Sequence, residues 1–169
     1  TAATAEDNVD FYYGIKVEPT LEEGTYTSSA AYTAIAKEKP RTAKAILGSN
    51  KNLNFIYDNN DYVAGDMYTD NIGETTIANV YEVPMNSVEC TEFVQMPWYS
   101  KRNSITKANV DVSFVGARPT GACGWFSNLR NVTNITGLQN FNVSDVTDLS
   151  YIFFYAGYNA TTFDISRIN

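Results

Sequence analysis

The most constraining feature of this chain is a run of apolar residues at every third position: Phe126, Leu129, Val132, Ile135, Leu138 and Phe141. An amphipathic helix alternates steps of three and four, and a half-buried strand uses steps of two. An unbroken step of three suits neither; it suits a backbone that turns repeatedly back onto one core. A second run opens at Ile152-Phe153 and continues through Ala156, Phe163, Ile165 and Ile168. Phe126 and Phe153 stand 27 residues apart, within the range of periods at which neighbouring coils stack. A single coil cannot bury both its faces, so the open end of a short array needs a cover. The residues in front of the run are expected to supply it.

That front portion divides unevenly. Thr1–Asn8 reads as a loose polar arm, and Val9–Val17 (VDFYYGIKV) as a β-branched and aromatic strand. Within it Tyr12 and Tyr13 point to opposite faces. Pro19–Ser29 reads as a turn-rich connection, and Ala30–Lys39 as a short helix stopped by Pro40. Ala43–Leu47 and Leu53–Tyr57 flank the polar connector Gly48–Asn52, which signals a hairpin over about 43–57. Asp58–Asp61 breaks its second strand, as Asx residues do in turns. Thr76–Val83 and Glu92–Met96 read as strands ended by Pro84 and Pro97. Asn109–Val115 alternates, placing Val110, Val112 and Phe114 on one strand face. The expected fold class is α+β. A β-rich capping domain over 1–108 would lead into a leucine-rich-repeat-like solenoid of about two coils over 109–169.

Charge and composition narrow the function. The net charge is −7, which opposes binding to phosphate-rich nucleic acid. No apolar run approaches the roughly 20 residues that cross a bilayer, so no membrane insertion of the mature chain is expected. The chain begins at Thr1 without an apolar leader, as a mature or trimmed product would. There is no histidine, which removes Ser-His-Asp and Cys-His catalysis and the commonest transition-metal ligand. Cys90 and Cys123 match no short metal or redox motif. They are either two buried thiols or one disulfide, the latter fitting an oxidising compartment.

The residues Val110–Phe126 (VDVSFVGARPTGACGWF) and the run LRNVTNITGLQNFNVSDVTDLSYIFF resemble the BspA-like leucine-rich-repeat surface proteins of bacteria. Ile135–Leu138, Phe141-Asn142, Val146–Ser150 and Ile152-Phe153 carry the resemblance, with Thr162–Ser166 as the next strand turn. Lys44–Leu47 and Leu53–Asp58 resemble a segment that precedes such repeats in gut and oral bacteria. Leu129 and Ala156 stand where the family favours a small residue, often Cys. An extra residue near Gly157–Asn159 marks an array that is ending. The resemblance implies a secreted or surface-anchored, non-enzymatic protein serving cell adhesion. Its partner would be a host matrix protein, another bacterial surface protein or a glycan. It brings no catalytic residue, metal or cofactor.

Among individual residues, Trp98, Tyr99, Lys101 and Arg102 form an aromatic and basic cluster in an acidic chain. Such residues dominate binding hot spots, so they are the expected partner-binding residues; the plainer reading is a core Trp98 next to a solvated loop. They also underlie the alternative reading, a carbohydrate-binding accessory protein. Trp125 reads as core. Asp58, Asp61 and Asp66 are the candidate carboxylates for paired acid–base chemistry, and they read better as solvated turn residues. An EF-hand-type calcium loop starting at Asp58 fails at Tyr62, Val63 and Thr69. Asn131, Asn134, Asn142 and Asn159 each begin an Asn-x-Ser/Thr sequon. They are expected to hydrogen-bond the backbone at chain corners rather than carry glycans.

Overall fold

In the computed structural model the residues described are 38–86, 90–91 and 95–164, all within the unit Glu38–Asn169. The expected strand at Val9–Val17 and the turn at Pro19–Ser29 lie outside them. So do the helix at Ala30–Lys39, apart from its last two residues, and most of the strand at Glu92–Met96.

The hairpin forms where its alternation and turn chemistry place it. Strand β1 (Thr42–Gly48) pairs antiparallel with β2 (Asn52–Asp58), Ala45 opposite Phe55 and Leu47 opposite Leu53. Lys51 closes the connection with a left-handed φ of 66° and donates its N–H to the Gly48 carbonyl at 3.0 Å. Strand β4 (Glu74–Glu82), close to the segment expected from Thr76, pairs antiparallel with the other edge of β1. The short strand β3 (Met67–Thr69) lies outside β4. On the far side β2 pairs in parallel with β5 (Lys107–Val110), and β5 in parallel with β6 (Asn134–Thr136). The sheet order is β3-β4-β1-β2-β5-β6.

This architecture corrects the expected α+β fold with a leucine-rich-repeat-like solenoid. The described residues form one mixed six-stranded sheet, and their helical segments are three short 3₁₀ turns at Tyr99–Lys101, Val112–Gly116 and Leu138–Asn140. Among the described residues no closed solenoid forms. The 27-residue spacing is instead a lateral contact: Phe126 N–H donates to the Ile152 carbonyl at 2.9 Å, and the two Phe rings stack at 5.5 Å. The physical reason lies in β2. It is buried along most of its length, and its free edge recruits β5 and β6 into the hairpin's own sheet. The sheet therefore runs through position 108.

The step of three does point inward. Phe126, Leu129, Val132, Ile135 and Leu138 are all buried, and Phe141 packs against them half-buried. They occupy tight turns and the three-residue β6, where a 3₁₀-like pitch brings every third side chain to one side. Phe55 sits at the centre of this core. Its ring meets Trp98 edge-on at 5.2 Å, stacks on Trp125 at 5.8 Å and touches Phe126 at 5.1 Å. Both indoles find acceptors: Trp98 Nε1 donates to the Trp125 carbonyl at 3.1 Å, and Trp125 Nε1 to the Pro84 carbonyl at 3.2 Å. Trp125 is core, as expected.

The alternation through Asn109–Val115 ends early. Strand β5 stops at Val110, and the Asp111 carboxylate accepts the Ser113 N–H at 2.8 Å, capping a 3₁₀ turn. A local side-chain acceptor of this kind competes with ladder pairing. Phe114 turns inward while Val112 is 71% exposed, so the two do not share a face. Gly137 holds φ at +72°, and a Cβ there would lie 2.0 Å from the Val110 carbonyl oxygen. Gly137→Ala is expected to lose at least about 1–3 kcal/mol, read as a lower denaturation midpoint; an unchanged midpoint would count against this packing.

Cys90 and Cys123 form a disulfide with Cα atoms 5.7 Å apart, which decides between the two readings left open. It ties the segment ahead of Trp98 to the turn that begins the aromatic core.

Candidate functional site

The residues after β6 build an aromatic ridge. Tyr151, Tyr155 and Tyr158 are 40%, 42% and 66% exposed, with Phe154 half-buried between them. The rings touch in sequence: Tyr151–Phe154 at 5.5 Å, Phe154–Tyr155 at 4.4 Å and Tyr155–Tyr158 at 5.3 Å. The Arg130 guanidinium lies 4.6 Å from the Tyr155 ring and 5.6 Å from that of Tyr158, within cation–π range.

The backbone under the ridge is clamped at every second residue. The carbonyls of Asp148, Ser150, Ile152 and Phe154 accept N–H groups from Ala122, Gly124, Phe126 and Asn128. Farther on, Gly157 N–H donates to the Leu129 carbonyl at 3.0 Å, and Asn159 N–H to the Arg130 carbonyl at 2.8 Å. Within this frame Tyr151 and Tyr155 both adopt φ of +56°. Left-handed backbone at a bulky residue costs on the order of 1–3 kcal/mol and persists only where the surroundings over-determine it. Gly157, at φ +67°, lets Phe163 pack close beneath the last turn. The exposed tyrosine rings are thus carried on a clamped, strained backbone.

Trp98 is fully buried and presents no face to a ligand. Tyr99 and Lys101 lie on one 3₁₀ turn that Arg102 caps. There Arg102 stacks 3.9 Å over the Tyr99 ring and donates to the Tyr99 carbonyl at 3.0 Å. The structure thus keeps three of these four residues together at one turn, Lys101 exposed and Tyr99 and Arg102 half-buried, and places the tryptophan in the core.

The candidate carboxylates do not converge. Asp58 accepts from Tyr62 Oη at 2.6 Å, Asn60 Nδ2 at 2.8 Å and Lys44 Nζ at 3.5 Å, whereas Asp61 pairs with Lys39 and Asp66 is exposed. Burial pushes the Tyr62 hydroxyl up to about 12, helped by the Asp58 carboxylate. Among the described residues no cluster of three metal-ligating side chains occurs, and no helix is long and apolar enough to cross a membrane.

The four sequon residues divide. Asn131 Nδ2 donates to the Asn103 carbonyl at 2.7 Å, and Asn159 Nδ2 to Asn131 Oδ1 at 3.0 Å. Asn142 Oδ1 accepts the Ser144 N–H at 3.0 Å. Asn131 and Asn142 thus bond backbone at corners, and Asn159 extends the Asn131 contact. The Oδ1 of Asn134 has no hydrogen-bond partner.

Two acidic turns carry a pH dependence. Burial raises the carboxyls of Asp58 and Asp70, but hydrogen bonds outweigh it and hold both below the usual range. For Asp58 the donors are Tyr62 and Asn60, with Lys44 nearby; for Asp70 they are Asn50, Asn52, Ile72 N–H and Gly73 N–H. A carboxyl lowered by folding stabilises the protein fully above its unfolded value of about 3.9, and that contribution is lost as pH falls through the folded value. Denaturation midpoints measured downward from about pH 5 are expected to fall less steeply in Asp70→Asn than in the wild type. Parallel pH profiles would contradict this assignment.

No family model, curated protein or solved structure matches the chain.

Proposed function

We propose that this protein is a non-enzymatic binding module acting outside the cell or at its surface, and that it captures a protein partner through the ridge of Tyr151, Tyr155, Tyr158 and Arg130. The observation that carries the reading is the combination of three exposed tyrosines and an arginine on a clamped, strained backbone. Tyr and Arg are enriched among residues that dominate binding energy. A surface ordered before contact loses less entropy on association. The Cys90–Cys123 disulfide supports an oxidising compartment, and the absence of histidine supports a role without acid–base catalysis. The resemblance to bacterial surface proteins points to adhesion as the setting. A glycan reading built on Trp98 loses its stacking ring to the core.

The test is a solid-phase array of purified extracellular-matrix proteins and bacterial surface proteins, probed with the wild type and with Tyr155→Ser/Tyr158→Ser. The expected result is saturable binding to at least one protein, reduced about 30-fold or more in the variant, as loss of a hot spot of about 2 kcal/mol implies. Equal binding by both chains, or no binding by the wild type, would overturn the reading.

A further inference from the structure

A cleft lies at the end of the sheet where β1 begins and β2 and β4 finish. Its floor is one row of residues across those strands. Val83, the residue after β4, donates its N–H to the Ala43 carbonyl of β1 at 3.1 Å, and Ala43 pairs with Tyr57 of β2. Ala43 and Val83 are buried, and Tyr57 and Met85 are half-buried. Together with Arg41, Glu82 and Arg118 these residues line a space of about 380 Å³, within the roughly 300–1,000 Å³ of ordinary ligand pockets.

Two guanidinium groups meet at its rim. Arg118 Nη1 donates to the Val115 carbonyl at 3.4 Å and to the Ala117 carbonyl at 3.3 Å. Between those residues, a Cβ added to Gly116 would lie 3.8 Å from Arg41 Nη1 and 3.6 Å from a Tyr57 ring carbon. The 3₁₀ turn Val112–Gly116 is itself tied to β2, because Ser113 Oγ accepts the Tyr57 N–H at 3.1 Å. Both guanidiniums therefore converge on Gly116, beside the Tyr57 wall. Their charges are not cancelled locally. Lys39 and Lys44, the basic residues flanking Arg41 in sequence, pair with Asp61 and Asp58. Among the described residues no carboxylate forms an ion pair with Arg41 or Arg118, in a chain of net charge −7. Glu82 is the acidic residue of the lining, so the cleft sets two positive charges against one negative.

We propose that this cleft binds a carboxylate carried on an apolar group, supplied either by a short aliphatic acid or by the C-terminal residue of a peptide ending in an apolar side chain. The carboxylate pairs with Arg41 and Arg118, and the apolar group lies against Ala43, Val83, Met85 and Tyr57. The charge balance selects a monoanion. A phosphate, at about −1.5 to −2, exceeds the one uncancelled positive charge and meets Glu82. A cation is repelled by both arginines, and a neutral polyol leaves the apolar floor without a partner. A carboxylate concentrates its charge on two oxygens in the plane that a guanidinium fork matches, whereas a sulfonate spreads it over three. The site needs nothing from the tyrosine ridge, so it stands or falls independently of the proposed protein capture.

The test uses the full chain labelled with ¹⁵N, titrated separately with hexanoate and with N-acetyl-leucine, which stand for the free acid and the peptide terminus. Saturable shifts of the Ala43, Val83 and Gly116 backbone amides are expected with at least one of them, and the tighter of the two identifies the source. Acetate lacks the apolar group, N-acetyl-leucine amide lacks the charge, hexanesulfonate lacks the planar anion, and inorganic phosphate carries too much charge. Each of these controls is expected to bind about tenfold or more weakly than the better acid. Arg41→Gln and Arg118→Gln, both at exposed positions, are each expected to weaken binding of that acid about fivefold or more. If neither acid gives a saturable shift at these amides, the proposal fails. It fails equally if any control binds there as tightly as the better acid, or if either arginine variant keeps wild-type affinity.

Discussion

Phe55→Ala is expected to destabilise the protein by roughly 3–5 kcal/mol, the range for large-to-small changes at fully packed aromatic positions. Phe55 is fully buried in β2, and its ring joins the sheet to Trp98, Phe114, Trp125 and Phe126. Those neighbours come from three separate stretches of chain, so collapse into the cavity would require them to move together. For a domain of this size the loss corresponds to a fall of roughly 6–20 °C in melting temperature. Phe126→Ala should behave similarly, being fully buried, whereas Phe153→Ala should cost less because Phe153 is only half-buried. Calorimetry on the three variants checks the order. A loss below about 1 kcal/mol for Phe55→Ala, small beside the range for such changes, would show that Phe55 is not the hub of the core.

Removing the disulfide by Cys90→Ala/Cys123→Ala is expected to cost roughly 3–4 kcal/mol, because the bridge closes a loop with a sequence separation of 33. The loop contains Trp98 and strand β5, two elements that must find partners distant in sequence. The bridge therefore limits the unfolded chain where the native contacts are least local. Urea denaturation of the oxidised wild type, the reduced wild type and the variant gives the result directly. Coinciding midpoints for all three would contradict a stabilising bridge.

Local signals in the chain were readable, and long-range pairing was not. The hairpin announces itself by two apolar runs around a Gly/Asn connector, and β1 and β2 follow. The three-residue step from Phe126 to Leu138 correctly marks buried residues. The same step suggested a solenoid because nothing local reveals that β5 and β6 extend the hairpin's sheet. Parallel pairing of β2 with β5 joins residues more than fifty positions apart, such as Asn52 and Lys107, and that of β5 with β6 joins residues 27 apart, such as Lys107 and Asn134. Trp98 stands beside Tyr99, Lys101 and Arg102, so in sequence it reads either as a contact residue of that cluster or as a core tryptophan next to a loop. Its Nε1 finds its acceptor at Trp125, far along the chain. The tyrosine ridge was missed although Tyr151–Tyr158 (YIFFYAGY) is dense in aromatics. In that stretch Ile152-Phe153 opens the second apolar run and reads inward. Which rings face outward depends on left-handed backbone at Tyr151 and Tyr155, which no local signal in that stretch discloses.

Binding energy is expected to reside in the ridge, and an alanine scan against a protein captured on the array tests this most directly. Tyr151, Tyr155, Tyr158 and Arg130 are replaced singly, and dissociation rate and melting temperature are measured for each variant. The expected result is dissociation faster by about tenfold or more for Tyr155, Tyr158 and Arg130, with melting temperatures close to the wild type. Unchanged dissociation across all four variants, or losses that simply follow melting temperature, would contradict it.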